Sequence, residues 1–293
     1  MQYFSHANSI KEKVLRNDNS EYKEFILSYG NLATTLQILE DYNKALEYYQ
    51  KELVIVEKKM GVGNPSIAAI YYNIGLTLFL LEKYNDALEY FVKSMIVREK
   101  VLGNENIETI NTTYYVGLAY YYLGKYDNAL KYLEKAIKKQ EKVLGKKHNN
   151  TASTHYWIGL TYYNLHNYNV ALEHFEKALK VYEQLYGKNH IDTASIYYQI
   201  GITYYDLDDL TKALEYNFRS LLIREKELGT EHLDTANSYY IISLVYYRLN
   251  DFSKALEYIE KAMKIRKGKL SHSHPDIIMA QNLIDTIKVS KRL

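Results

Sequence analysis

The chain has no cysteine, two prolines and one tryptophan among its 293 residues. Without cysteine there is neither a disulfide framework nor thiolate chemistry. So little proline leaves long stretches in which nothing interrupts a helix. Charge of one sign is lacking too. A formal net charge of +2 gives no strong attraction to nucleic acid or to an anionic membrane, and neither is expected as a partner. No run reaches the roughly 18 apolar residues that would span a bilayer. The opening stretch MQYFSHANSIKEKVL has no basic region followed by an apolar core, so it does not read as a signal peptide and a cytoplasmic setting is expected. No HExxH, P-loop, GxGxxG or GxSxG sequence occurs, and no carboxylate pair stands apart from the helix-surface charges. No enzymatic activity, cofactor or metal is therefore expected.

What is abundant is tyrosine, at 33 residues, within a chain that is 47% hydrophobic. The tyrosines fall into a repeat. Ala-Leu recurs at Ala45, Ala87, Ala129, Ala171, Ala213 and Ala255, always 42 residues apart. A small residue keeps the same step at Ala33, Gly75, Gly117, Gly159, Gly201 and Ser243, as does leucine at Leu39, Leu81, Leu123, Leu165, Leu207 and Leu249. Six copies without an internal insertion form the signature of a stacked repeat architecture.

Each copy reads as two helices. In the second, Ile67–Leu81 is helix A, EKYNDA a short turn, and helix B runs from about Tyr84 to Leu102. Ala87, Leu88, Phe91, Met95 and Val101 lie on its apolar side. Glycine follows helix B at Gly61, Gly103, Gly145, Gly187 and Gly229, suited to a left-handed helix end. A helix-start column comes next: Asn64, Asn106, His148, His190, His232 and His274, two of them before a proline. The Gly75 and Ala87 columns are expected to face each other across the turn and let the two helices approach closely.

These motifs resemble the tetratricopeptide repeat in its 42-residue, kinesin light chain-like form. The stretches REKVLGNENIETINTTYYVGLAYYYLGKYDNALKYLEKA (Arg98–Ala136) and SHSHPDIIMA (Ser271–Ala280) carry the likeness. The resemblance implies an all-α, right-handed superhelical solenoid of antiparallel helix pairs and a role in protein–protein interaction. The expected layout is one solenoid over residues 1–293. It has a partial helix B at 1–17, where KEKVL matches the REKVL of Arg98–Leu102, then repeats at 22–63, 64–105, 106–147, 148–189, 190–231 and 232–273. A capping helix at 274–290 closes it, with Asp285 in place of the small residue.

The helical step of about 100° divides helix A into two sides. One faces helix B and contains Tyr71, Gly75 and Leu78. The other is expected to line the concave surface. It carries Tyr72, Tyr114, Tyr156, Tyr198 and Tyr240 in one column and Phe79, Tyr121, Tyr163, Tyr205 and Tyr247 in a second, with Leu76, Leu118, Leu160, Ile202 and Leu244 between. Tyrosine offers rigid apolar area and a hydroxyl at low entropy cost, which suits a peptide-binding groove. The same rings could instead fill the seams between repeats. Tyr120, Tyr162, Tyr204 and Tyr246, with Tyr42, Tyr84, Tyr126 and Tyr168, are expected in the core.

The groove edge varies: Asn31, Asn73, Tyr115, Trp157, Gln199 and Ile241 in one column, and Ile38, Leu80, Tyr122, Asn164, Asp206 and Arg248 in another. In kinesin light chain repeats an asparagine at the Asn73 position contacts peptide backbone. The resemblance carries that role to Asn31 and Asn73 alone. The lysine and asparagine clamp by which some relatives hold chaperone C-termini is replaced here by tyrosine and leucine. His148, His190, His232 and His274 stand a whole repeat apart, roughly 10 Å at helix-packing distance. One metal ion, with bonds of about 2 Å to nitrogen, does not bridge them.

The expected function is a scaffold or adaptor that binds a peptide segment of a partner protein. Two alternatives stay open: a sensor or regulatory portion of a larger signalling protein, suggested by the start inside a helix B, and a structural spacer with no groove ligand.

Overall fold

The computed structural model describes residues 21–60 and 64–291. Among them are thirteen α-helices and no strand. They fall into two compact units, one up to Val143 and one from Leu144. The first holds α1 (Glu21–Ile38), α2 (Tyr42–Met60), α3 (Pro65–Leu80), α4 (Tyr84–Val101), α5 (Ile107–Tyr122) and α6 (Tyr126–Val143). The second holds α7 (Asn149–Asn164), α8 (Tyr168–Tyr186), α9 (Ile191–Asp206), α10 (Leu210–Glu227), α11 (Leu233–Arg248), α12 (Phe252–Lys269) and α13 (Pro275–Ser290). Odd-numbered helices up to α11 are the A helices, and each packs against the B helix that follows it. The partial helix B expected over residues 1–17, and Gly61, lie outside the described residues.

Local chemistry fixes where each helix begins and ends. Asn64 and Asn106 accept the N–H two residues on through their side-chain oxygens, at 2.9 Å. His148, His190, His232 and His274 do the same through Nδ1, at 3.1–3.2 Å. These histidines are N-caps, each satisfying a donor that the first helical turn would leave unpaired. No cluster of three metal-ligating side chains occurs among the described residues. Gly103, Gly145, Gly187 and Gly229 follow the B helices at φ of +84° to +91°, as their column predicts.

The small-residue column opens onto a different partner from the one expected. A Cβ on Gly75 would stand 2.8 Å from the Phe91 ring, and one on Gly159 would stand 2.7 Å from the Phe175 ring. The close approach therefore admits the large side chain one turn beyond Ala87 and Ala171, while those alanines are sealed at 0% exposure. Helix B differs in a second way. Val101 is exposed, and Arg98 is buried on the face that packs inward.

The tyrosines expected in the core also move. Tyr120, Tyr162, Tyr204 and Tyr246 are half-buried, as are Tyr42, Tyr84, Tyr126 and Tyr168. Tyr120, Tyr204 and Tyr246 stack on Tyr132, Tyr216 and Tyr258 of the paired B helix, with centroids 5.5–5.7 Å apart. They form a flank of half-buried rings whose faces meet, which suits an amphipathic ring better than a sealed interior. The interior proper is built from Ile74, Phe91 and Val116 in the first unit and from Ile242, Ile259 and Ile287 in the second.

At the C-terminal end, α13 buries Ile277, Ala280, Leu283, Ile284 and Ile287 on one side. Asp285 lies on the exposed side and accepts a hydrogen bond from Gln281 at 3.0 Å. The outward side of this helix is mixed, with Ile278, Met279 and Val289 exposed as well as Asp285.

Candidate functional site

The first tyrosine column projects from the middle of the A helices. Tyr72, Tyr114, Tyr156, Tyr198 and Tyr240 are all half-buried, and so are Phe79, Tyr121, Tyr163, Tyr205 and Tyr247 in the second column. The rings are thus neither sealed in seams nor standing free. Their inner sides pack on helix B: Tyr72 on Phe91 at 5.8 Å and Tyr156 on Phe175 at 5.9 Å.

In the first unit the two columns join an aromatic cluster. Tyr72 meets Tyr115 edge-on at 5.6 Å, and Tyr114 meets the same ring at 5.4 Å. Phe79 is closed in by Tyr84 and Tyr122, each at 5.2 Å. Tyr121 sits against Tyr122 at 5.4 Å. In the second unit Trp157 meets Tyr156 edge-on at 5.8 Å and is half-buried. Tyr163 donates its hydroxyl to Asp206 at 2.6 Å. Its ionisation is pushed up, by burial first and then by that carboxylate. Tyr205 lies under the Arg248 guanidinium at 4.8 Å, and Tyr247 leans on Phe252 at 5.8 Å.

The variable edge therefore has a structural task. Tyr122, Asp206 and Arg248 belong to one column, and each engages the second-column ring of the repeat before it. The other edge column changes from open to closed. Asn31 is exposed, Asn73, Trp157 and Gln199 are half-buried, and Ile241 is buried.

One set of residues at this face is invisible to the sorting of helix faces. Arg98, Arg224 and Arg266 are buried at 6%, 5% and 4% exposure. Each lays its guanidinium over a first-column ring, on Tyr72 at 4.8 Å, Tyr198 at 4.4 Å and Tyr240 at 4.6 Å. Arg98 donates from Nη1 to the Glu108 carbonyl at 3.0 Å and to Thr112 Oγ1 at 2.7 Å. Arg224 donates to the Asp234 carbonyl and to Ser238 Oγ, both at 3.0 Å. Arg266 donates to the Asp276 carbonyl at 2.9 Å and from Nη2 to Asn237 Oδ1 at 3.0 Å. Burial lowers the affinity of all three for their protons, opposed by the neighbouring acids and tyrosines. Guanidinium stays charged over the accessible pH range, so each is a buried cation held by a π face and a carbonyl. The sequence signal was an arginine recurring at 98, 224 and 266, in one column of an otherwise apolar face.

The first repeat departs from this arrangement. Gly30 stands in the tyrosine column and Val56 in the arginine column. The Glu52 carboxylate comes within 3.0 Å of where a Cβ on Gly30 would lie, and burial pushes its pKa up to about 7.

Comparison with known proteins places this arrangement. The family model for the tetratricopeptide repeat matches residues 24–100, 66–142, 108–163, 150–221 and 206–268. No curated protein is similar to the chain in sequence at a significant level. Among solved structures, BtubC (BKLC) from P. vanneervenii superposes with a TM-score of 0.63 at 18% identity, over 80% of this chain and 92% of that one. The nearly identical TPR-like repeats of a kinesin light chain candidate from Podosopora anserina give 0.60 at 18%, over 71% and 99%. A signal transduction ATPase with numerous domains and a tetratricopeptide repeat sensor, from Pyrococcus horikoshii, gives 0.68 at 16%, over 91% of this chain and 39% of that one.

Proposed function

The chain belongs to the tetratricopeptide repeat family, with repeats of the 42-residue, kinesin light chain-like type, and on that premise we propose that it is an adaptor. It holds a segment of a partner protein against the tyrosine-bearing side of its A helices. The observation that carries the reading is the pair of aromatic columns, repeated every 42 residues and half-buried at every position. Rings fixed from behind by helix B give contact area at little ordering cost. The change from Asn31 and Asn73 to Trp157 and Ile241 along the edge would give each repeat its own preference. The chain then has no chemical step to perform. No described helix is long and apolar enough to cross a membrane.

The test begins with affinity capture and mass spectrometry to identify the partner. Replacement of Tyr156, Trp157 and Tyr163 together by alanine then removes a continuous part of the site in the second unit. The expected result is loss of partner binding with helical circular dichroism retained. Partner binding at full strength by that folded triple variant would sink the proposal.

A second reading has one specific support. The Pyrococcus horikoshii protein contains a comparable repeat region in well under half of its length. On that reading these repeats are the sensor part of a longer signalling protein. Sequencing the transcript around this reading frame separates the two readings, because a sensor requires an effector domain in the same chain.

A further inference from the structure

The first helix pair replaces the aromatic stripe with polar residues. Where α3 carries Tyr72, Leu76 and Phe79, α1 carries Gly30, Thr34 and Gln37. The helix behind them changes as well. Later B helices place Ser94, Ala136, Ala178, Ser220 and Ala262 in one column, all at 0% exposure, and α2 places Glu52 there. The two changes meet. The oxygens of the Glu52 carboxylate lie 3.0 and 3.1 Å from where a Cβ on Gly30 would stand. A side chain in the Tyr72 column would crowd that carboxylate, so glycine at this position opens the acid toward the side of α1 that bears the column.

Glu52 is 9% exposed, and no hydrogen bond or ion pair to it occurs among the described residues. The groups around it are engaged elsewhere. Burial, and then the charge of Glu52, raise the pKa of Tyr49, which places its hydroxyl within reach of that charge. Yet the hydroxyl meets Thr34 Oγ1 at 3.0 Å and Gln37 Oε1 at 3.4 Å. Thr34 donates to the Gly30 carbonyl at 2.9 Å, and Gln37 donates from Nε2 to Thr77 at 3.2 Å. Val56 fills the position from which Arg98, Arg224 and Arg266 supply a buried cation in other B helices.

A carboxylate withdrawn from water with no donor is costly, and that cost is what a cation from outside would relieve. Attraction between opposite charges strengthens as water is excluded, so a cation gains more here than at an exposed glutamate. The approach lies past Gly30, which is half-buried, beside Asn31 and Thr34, which are exposed. All of these residues belong to the first unit.

We propose that Glu52 receives the charged end of one basic side chain, lysine or arginine, which enters where Gly30 interrupts the aromatic column. The proposal rests on the adaptor reading for the source of that side chain, the bound partner segment. It gives the first helix pair a preference for charge, at the end of a face that elsewhere offers rings.

The test reads the acid itself. The full chain is labelled with carbon-13 at its glutamate carboxyl groups, and the signal missing from Glu52→Gln is that of Glu52. The titration is run above pH 7, where this carboxylate ionises. Nα-acetyl-lysine methylamide and Nα-acetyl-arginine methylamide are the two cationic probes, and the uncharged norleucine and citrulline analogues are the controls. A saturable shift of the Glu52 signal with either cation is expected, and the stronger of the two identifies the side chain. The uncharged analogues should leave the signal in place. A shift no larger than that of the exposed glutamates, or an equal shift with the uncharged analogues, overturns the proposal. Gly30→Tyr combined with Glu52→Ser puts back the pairing of Tyr72 with Ser94. That chain should fold and melt no lower than the parent, and it should weaken the captured partner by about tenfold, the loss of one charge-assisted contact. Glu52→Gln should weaken it equally. A partner that binds both folded variants as tightly as the parent overturns the cation assignment and leaves the adaptor standing. If the parent captures no partner, the adaptor fails, and the carboxyl titration alone decides whether Glu52 binds a cation.

Discussion

His155 and His174 stand where other helix pairs carry two tyrosines. Tyr29–Tyr48, Tyr71–Tyr90, Tyr197–Tyr216 and Tyr239–Tyr258 meet at 5.8–6.1 Å between ring centroids, and the two histidines meet at 5.1 Å. Their Nδ1 atoms are 3.1 Å apart, so one ring donates and the other must accept as the neutral form. Burial, then the charges of His155 and Lys177, push the pKa of His174 down to about 4. The folded protein thus refuses a proton that the unfolded chain accepts at the ordinary histidine value of about 6.5. Stability from this group is complete above about pH 6.5, falls as pH drops toward 4, and falls no further below that. The loss should be on the order of 2–3 kcal/mol, seen as a drop in the urea midpoint between those values. His174→Tyr restores the residue found at Tyr90, Tyr132, Tyr216 and Tyr258, and should flatten that drop. An unchanged pH slope in the variant would show that the histidine pair is not its source.

At the scale of the element, the turn from helix A to helix B is the most strained recurring feature. Glu40, Glu82, Gly124, His166, Asp208 and Asn250 all take a left-handed φ, between 58° and 69°. The bonds that close it are those of a Schellman end: Glu82 N–H to the Phe79 carbonyl at 3.0 Å and Lys83 N–H to the Leu78 carbonyl at 2.9 Å. A side chain in this conformation costs roughly 1 kcal/mol or more, and only Gly124 avoids it. Gly124→Ala should therefore destabilise by about 1 kcal/mol, while Glu82→Gly should be neutral or stabilising by a similar amount, as read from thermal or urea unfolding. The 42-residue columns make the helix pairs, their N-caps and the side of helix A that faces helix B legible in the sequence. The turn conformation was less legible: Gly124, His166, Asp208 and Asn250 are residue types that favour it, but Glu40 and Glu82 are not, which blurs the column. Arg98, Arg224 and Arg266 were missed for a related reason. A charged residue on a helix is read as solvent-facing, and burial becomes tolerable only through a tyrosine from one helix and a carbonyl from another.

For the molecule as a whole, a repeat architecture makes stability a sum of local pieces and nearest-neighbour interfaces. The final helix of the second unit is then as consequential as any inside it. It covers α12, whose Ile259, Ala262, Met263 and Ile265 belong to the same buried cluster as Ile277, Leu283, Ile284 and Ile287 of α13. It also supplies the Asp276 carbonyl that Arg266 requires. The sequence columns read this stretch as a helix A with Asp285 in place of the small residue, hence as a cap, but do not show that it completes the cradle of a buried cation. Truncation after Leu270 removes the apolar cover and leaves Arg266 with one acceptor fewer. Burial of those α13 side chains contributes on the order of 1.5–3 kcal/mol for each large one, before the entropy of ordering the helix is set against it. The truncated chain should melt at a lower temperature and scatter light on heating, because a broad apolar face is left open to other copies. Replacing Met263 by glutamine in the truncated chain should recover solubility without recovering the melting temperature, since it makes the new end polar but restores no interface. A truncated chain that melts with the parent would mean that the stack ends energetically at α12.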